Sequence, residues 1–168
     1  LWLNFMTDGL PALALGMEPA EKDVMKRPPR APNEHVLSGE WGRLIFAGLW
    51  AYAVAFAFYV WELSKGVSVE EARTATLTLA IFIELGMAFT TRSRRPIWEI
   101  GFFTNKWLVG AAANPLALHI LLVFTKFGKI IHFVPLTLAE WLETAGIALV
   151  GFFIFECLKL IPERRRRS

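Results

Sequence analysis

Long apolar runs separated by short polar segments make up most of this chain. A transmembrane helix needs about 20 mainly apolar residues to cross about 30 Å of hydrocarbon. The opening run, about 1–17, is apolar, but Gly9 and Pro11 interrupt it, as in a broken membrane helix. Four further runs carry few charges and lie at about 42–62, 72–91, 105–125 and 137–160. The pattern predicts five crossings and an all-α fold, a multi-pass transmembrane helical bundle.

The composition agrees with a position in the bilayer. Hydrophobic residues make up 55% of the 168 residues and charged residues only 20%, which is too apolar for a single water-soluble core. One cysteine, Cys157, excludes an internal disulfide and gives no thiolate cluster for a metal ion. No signal peptide is visible at the start, and the chain is expected to be cut from something longer.

The distribution of basic residues predicts the orientation of the bundle. Of the 18 Lys and Arg residues, only Lys65, Arg73, Lys126 and Lys129 lie on one side of the five predicted helices. Because cytoplasmic segments carry the excess of positive charge, the loops at about 18–41 and 92–104 and the carboxy terminus are predicted to be cytoplasmic. The terminal arginines are interpreted as a topology signal or an anionic-lipid contact, with no nucleic acid as a partner.

A polar trio in the opening helix is the sharpest chemical clue. Asn4, Thr7 and Asp8 lie at i, i+3 and i+4 and therefore share one helix face. Amide, hydroxyl and carboxylate oxygens suit Ca²⁺, Mg²⁺, Na⁺ or H⁺ better than zinc or copper. Gly9 and Pro11 directly follow, so the helix is expected to kink or unwind where the trio sits.

A fourth polar group, Glu84, lies near the middle of its own predicted span. An ionisable group at that depth costs several kcal/mol unless it is paired, so Glu84 is a candidate for the same ion site. The alternative interpretation is structural: the trio would hydrogen-bond neighbouring helices at a kink, and Glu84 would be a protonated, hydrogen-bonded acid. Four such side chains supply four or five oxygens, fewer than the six to eight that calcium takes.

The polar trio lies in the run LWLNFMTDGLPALALGM at 1–17, and MKRPPR follows at 25–30. These two runs resemble the sixth membrane helix and the following loop of type II P-type ATPases, and most closely those of the reticulum-type calcium pumps. The eighth helix resembles FIELGMAF at 82–89. The ninth and tenth helices resemble NKWLVG at 105–110, LALH at 116–119 and FECLKL at 155–160.

The resemblance implies roles for particular residues. Asn4, Thr7, Asp8 and Glu84 match cation ligands of the family, with Asp8 serving two adjacent sites. Met87 departs from the family, because reticulum-type pumps have an asparagine ligand environment at that position. Sodium/potassium pumps carry a second aspartate near Asp8, which is absent here, so the resemblance favours calcium.

The resemblance also implies an ATP-dependent cation translocase that works by alternating access. In the family, ATP and Mg²⁺ act in cytoplasmic domains that this chain lacks. The 168 residues contain no GxxxxGK[ST] phosphate loop, so the chain alone is expected to be inactive. The implied partners are membrane lipids and the remaining helices and cytoplasmic domains of a parent pump.

Two alternatives stay open at this point. One is a pump for another cation, such as Na⁺ or Mn²⁺. The other is a non-transporting membrane scaffold, in which the last four helices support neighbouring helices and offer a surface to lipids or an accessory subunit.

Overall fold

The computed structural model describes residues 5–20, 24–26 and 41–160, and this part of the chain contains helices and turns but no strand. A π-helix, Phe5–Gly9, runs directly into α1, Leu10–Leu15, and a short 3₁₀ turn covers Val24–Lys26. The remaining helices are α2 Trp41–Ser64, α3 Val69–Thr90, α4 Ile97–Ile100, α5 Lys106–Phe124, α6 Lys126–Ile130 and α7 Leu138–Leu158. The predicted all-α class is confirmed.

Four of these helices, α2, α3, α5 and α7, are long and apolar enough to cross a membrane. They confirm a multi-pass helical membrane protein. The described part of the opening helix, from Phe5 to Leu15, is shorter than a full crossing, and residues 1–4 lie outside the described residues. The fifth crossing therefore remains a prediction.

Polar side chains fix where three of the long helices begin. Ser68 caps α3 by accepting a hydrogen bond from the Glu71 N–H at 3.1 Å. Asn105 caps α5 in the same way, through the Leu108 N–H at 3.0 Å. Thr137 and Glu140 form a reciprocal capping box at the start of α7. Each cap satisfies a backbone donor that has no partner inside its own helix.

Helix α3 lies at the centre of the bundle. One side of it packs with α1, α4 and α5 around Ile81, Leu85 and Phe89. The other side packs with α2 and α7 around Ala75, Leu79 and Ile83. Half of its most apolar stretch is buried, against 11% for α2, so α3 is an internal helix whereas α2 presents most of its apolar surface outward.

A close approach between α2 and α7 depends on Gly151. The Trp50 indole lies directly over this glycine, where a Cβ atom would overlap its ring. The same indole packs edge-on against Phe155, with ring centroids 5.1 Å apart. Small residues at such points let membrane helices pack closely.

We expect Gly151→Ala to destabilise the bundle by about 1–3 kcal/mol, because Trp50 has to leave its packed position. Gly146→Ala is the matched control, since a Cβ at Gly146 on the same helix meets no atom within 4 Å. The measurement is the thermal unfolding midpoint of each purified variant in detergent. Equal midpoints for the two variants would contradict the close contact.

Candidate functional site

The backbone of the opening segment departs from α-helical geometry at Thr7 and Asp8. Phe5–Gly9 form a π-helix, a wide turn that recurs at functional sites in membrane and soluble proteins alike. The backbone does not unwind at Gly9, which has helical φ −65° and ψ −51°. Pro11 lies in the first turn of α1, directly after the π-helix, and its ring leaves that turn without one N–H donor.

The structure brings three of the four predicted ligands together. The Thr7 side chain is buried and hydrogen-bonds Glu84, and Asp8 lies close enough to Glu84 for the two carboxyl groups to interact electrostatically. Asn4 lies outside the described residues. Two helices, the π-helix and α3, therefore place a hydroxyl and two carboxyl groups in one small region.

Two neighbouring carboxylates in a membrane-spanning region repel each other and are poorly solvated. A cation or a proton between them relieves both penalties, whereas an apolar neighbour relieves neither. In the described part of the chain, no group of three or more His, Cys, Asp or Glu residues is placed to hold a metal ion. The groups that meet here, the Thr7 hydroxyl and the Asp8 and Glu84 carboxyl groups, offer oxygen atoms, which zinc and copper favour less than nitrogen and sulfur.

The coordination shell supplied by these residues is partial. Thr7 offers one oxygen, and Asp8 and Glu84 offer at most two each, which falls short of the six to eight that calcium takes. Asp8 and Glu84 are both exposed in this chain, so their open side is available to further ligands. Met87, one turn beyond Glu84, packs with the cluster formed by α2, α3 and α7 and adds no oxygen.

A second polar cluster, which the sequence did not reveal, joins the ends of α1 and α3. Arg92 donates two hydrogen bonds to the Glu18 carboxylate, from Nε at 3.0 Å and from Nη2 at 2.8 Å. The Arg92 side chain is fully buried. Its Nη1 also donates to the carbonyl oxygens of Gly101 at 3.3 Å and Phe102 at 3.1 Å. In the sequence, Arg92 is one of the basic residues that predict the cytoplasmic side, and no local pattern indicates its carboxylate partner.

Asn105 completes this cluster. Its Nδ2 donates to the Ala14 carbonyl oxygen at 2.9 Å and to Glu18 Oε2 at 2.7 Å, while its Oδ1 caps α5. Burial alone would raise the pKa of Glu18, but the hydrogen bonds from Arg92 and Asn105 and the Arg92 charge outweigh it and hold this pKa below its ordinary value. We call this cluster of Glu18, Arg92 and Asn105 the clamp.

Comparison with known proteins gives a consistent set of similarities. Residues 1–161 match the family model described as "Cation transporting ATPase, C-terminus". A probable cation-transporting ATPase F of Mycobacterium tuberculosis is 30% identical over 169 residues, covering 98% of this chain and 19% of that protein.

Two proteins named calcium-transporting ATPases are also similar. The one from Listeria monocytogenes is 35% identical over 170 residues, covering 98% of this chain and 19% of its own length. The one from Bacillus subtilis is 31% identical over 157 residues, covering 92% of this chain and 18% of its own length. The chain thus spans about a fifth of the length of these relatives.

Proposed function

Because this chain belongs to the family of cation-transporting ATPases, whose carboxy-terminal membrane region it forms, we propose that it supplies ion ligands to an ATP-driven cation pump. The proposed ligands are Thr7, Asp8 and Glu84, together with Asn4, which lies three positions before Thr7 in the sequence. The observation that carries the proposal is the meeting of Thr7, Asp8 and Glu84 from two different helices. Two carboxyl groups are rarely brought together within a membrane without an ion or a proton to share.

We propose Ca²⁺ as the transported ion. Its preference for many flexible oxygen ligands fits a hydroxyl and two carboxylates, with the rest of the shell supplied by helices outside this chain. The names of the Listeria and Bacillus relatives support the same choice. Na⁺ and Mn²⁺ also bind oxygen ligands and are the competing cargoes.

Energy coupling is proposed to come from outside these residues. ATP and Mg²⁺ would bind in cytoplasmic domains of the full-length protein, and helix movements would expose the cation site first to one side and then to the other. When the cation leaves, Asp8 and Glu84 lose the positive charge that balances them, so release leaves two neighbouring carboxyl groups without a counter-charge. The proposed orientation places loops 18–41 and 92–104 and the carboxy terminus in the cytoplasm.

A supporting role for the remaining helices is compatible with this function. Helix α2 leaves most of its apolar surface exposed, and residues such as Leu49, Tyr52 and Phe56 face outward. In a bilayer such a surface meets lipid chains or the helices of a partner. We therefore propose that membrane lipids and the other helices of the pump cover α2, while the π-helix and α3 carry the ion chemistry.

The test is ATP-driven ion uptake by the full-length protein in sealed lipid vesicles, with radioactive Ca²⁺, Mn²⁺ and Na⁺ supplied one at a time. We expect Ca²⁺ to accumulate only when ATP is present, and to be lost when an ionophore is added. Accumulation of Mn²⁺ or Na⁺ in place of Ca²⁺ would change the identity of the transported ion but still support the assignment as a cation pump. Uptake of none of the three would contradict transport and favour the scaffold interpretation.

A further inference from the structure

We propose that the clamp sets the cation affinity of the site by fixing the spacing between the two helices that carry Asp8 and Glu84. This inference rests on the proposed function, because it assigns a positioning role toward that same site. The three clamp residues do not touch the site themselves. They lie where the two ligand-bearing helices end.

The clamp contacts the end of α1. Asn105 Nδ2 donates a hydrogen bond to the carbonyl oxygen of Ala14, a residue in the last turn of α1. Ala14 lies six positions after Asp8, about 9 Å along a helix that rises 1.5 Å per residue. Ala14 is itself buried in the core formed with α5, so a displacement of this turn passes to Asp8 through a short, packed segment.

The clamp also contacts the end of α3. Arg92 follows the end of α3, eight positions after Glu84, or about 12 Å along the helix. Glu18 follows the end of α1, so the ion pair of Arg92 with Glu18 joins the carboxy-terminal ends of both helices. The distance between the Asp8 and Glu84 carboxyl groups therefore depends on a connection about two helical turns away from each of them.

The contacts that Arg92 makes are expected to be rigid. Arg92 makes a bidentate contact with the Glu18 carboxylate and binds two backbone carbonyl oxygens of the loop that leads to α5. Bidentate, charge-assisted hydrogen bonds are among the strongest that proteins make and fix geometry as well as distance. Without a cation, Asp8 and Glu84 repel each other. A rigid connection at the helix ends opposes that repulsion and keeps the empty site ready to bind.

The test variant is Asn105→Ser in the full-length pump. Serine is a good helix cap and can still accept the Leu108 N–H, so α5 keeps its start. Its short hydroxyl does not extend to the Ala14 carbonyl oxygen or to Glu18, so the clamp loses the contacts of Asn105 and keeps only the Arg92–Glu18 ion pair. We expect the Ca²⁺ concentration that gives half-maximal ATPase activity to rise about tenfold, with the maximal rate at saturating Ca²⁺ within about twofold of the wild type.

Two further variants make the result specific. Glu18→Ala opens the clamp from the α1 side and should raise the half-maximal Ca²⁺ concentration by a similar factor. Thr137→Ala removes the cap of α7, which lowers stability without touching α1 or the clamp. It should leave the half-maximal Ca²⁺ concentration unchanged.

The outcomes separate this inference from the function on which it rests. Suppose that the wild type shows normal Ca²⁺ activation while both clamp variants keep its half-maximal Ca²⁺ concentration. That result would overturn the positioning role and leave the pump assignment intact. An equal rise in Thr137→Ala would also overturn it, because any loss of stability would then produce the effect. A wild-type protein whose ATPase ignores Ca²⁺, Mn²⁺ and Na⁺ would remove the proposed function and the clamp's role together.

Discussion

Replacing Asp8 with asparagine is expected to abolish cation-stimulated ATP hydrolysis by the full-length protein. Asparagine has nearly the same shape, so the π-helix should persist, but the side chain loses its negative charge and one oxygen ligand. A unit charge about 4 Å from a cation is worth about 4 kcal/mol per unit of cation charge at the effective dielectric of a protein site. We therefore expect the apparent Ca²⁺ affinity to fall by at least about 100-fold.

The measurement is ATPase activity in lipid vesicles, with Ca²⁺, Na⁺ and Mn²⁺ titrated separately for wild type and Asp8→Asn. Glu70→Gln is the matched control, because it removes one carboxylate at the exposed start of α3, away from the trio. Wild-type titration curves are expected for this control. Activity that is indifferent to both the cation and the Asp8 substitution would remove these residues from an ion site and leave a scaffold as their role.

The four long helices could be predicted from the sequence because the signal for them is local. Crossing a bilayer requires about 20 apolar residues with all backbone groups paired inside the segment, so length and composition decide the outcome. Helices α2, α3, α5 and α7 lie close to the predicted runs. The short helices α4 and α6 were missed, since four or five residues carry no usable periodicity.

The candidate site could be predicted only in part from local sequence patterns. The spacing that places Thr7 and Asp8 on one helix face is visible in the chain. Glu84 is a candidate because it lies inside an apolar span, but its contact with Thr7 depends on how two helices pack. The clamp was missed because its partners are far apart in sequence: Arg92 lies 74 residues from Glu18, and Asn105 lies 87 residues from it. A basic residue after a membrane span predicts orientation, but its sequence context does not reveal a buried carboxylate partner.

Glu156 gives the largest stability effect that we expect in the described part of the chain. Its side chain is completely buried near the end of α7. It accepts hydrogen bonds from Thr90 Oγ1 at 2.9 Å and from the Ile97 N–H at 2.6 Å. Lys159 Nζ lies 2.7 Å from the same carboxylate. One acid thus connects the end of α3, the start of α4 and the end of α7.

Glu156→Ala should lower the free energy of unfolding by about 3–5 kcal/mol, the cost of removing one partner from a buried ion pair. The Lys159 side chain, 5% exposed, would lose its carboxylate partner, and the Ile97 N–H would lose its acceptor. For a region of this size, such a loss lowers the thermal unfolding midpoint by about 10 °C.

The measurement is the midpoint of thermal inactivation for the purified full-length protein in detergent. Glu156→Gln keeps a side-chain oxygen for one donor but loses the charge, so its midpoint should fall between those of wild type and Glu156→Ala. Glu99→Ala is the control, because it removes an exposed carboxylate from the neighbouring helix α4. If Glu156→Ala and Glu99→Ala unfold at the same temperature, the buried carboxylate is not what holds α4 against α7.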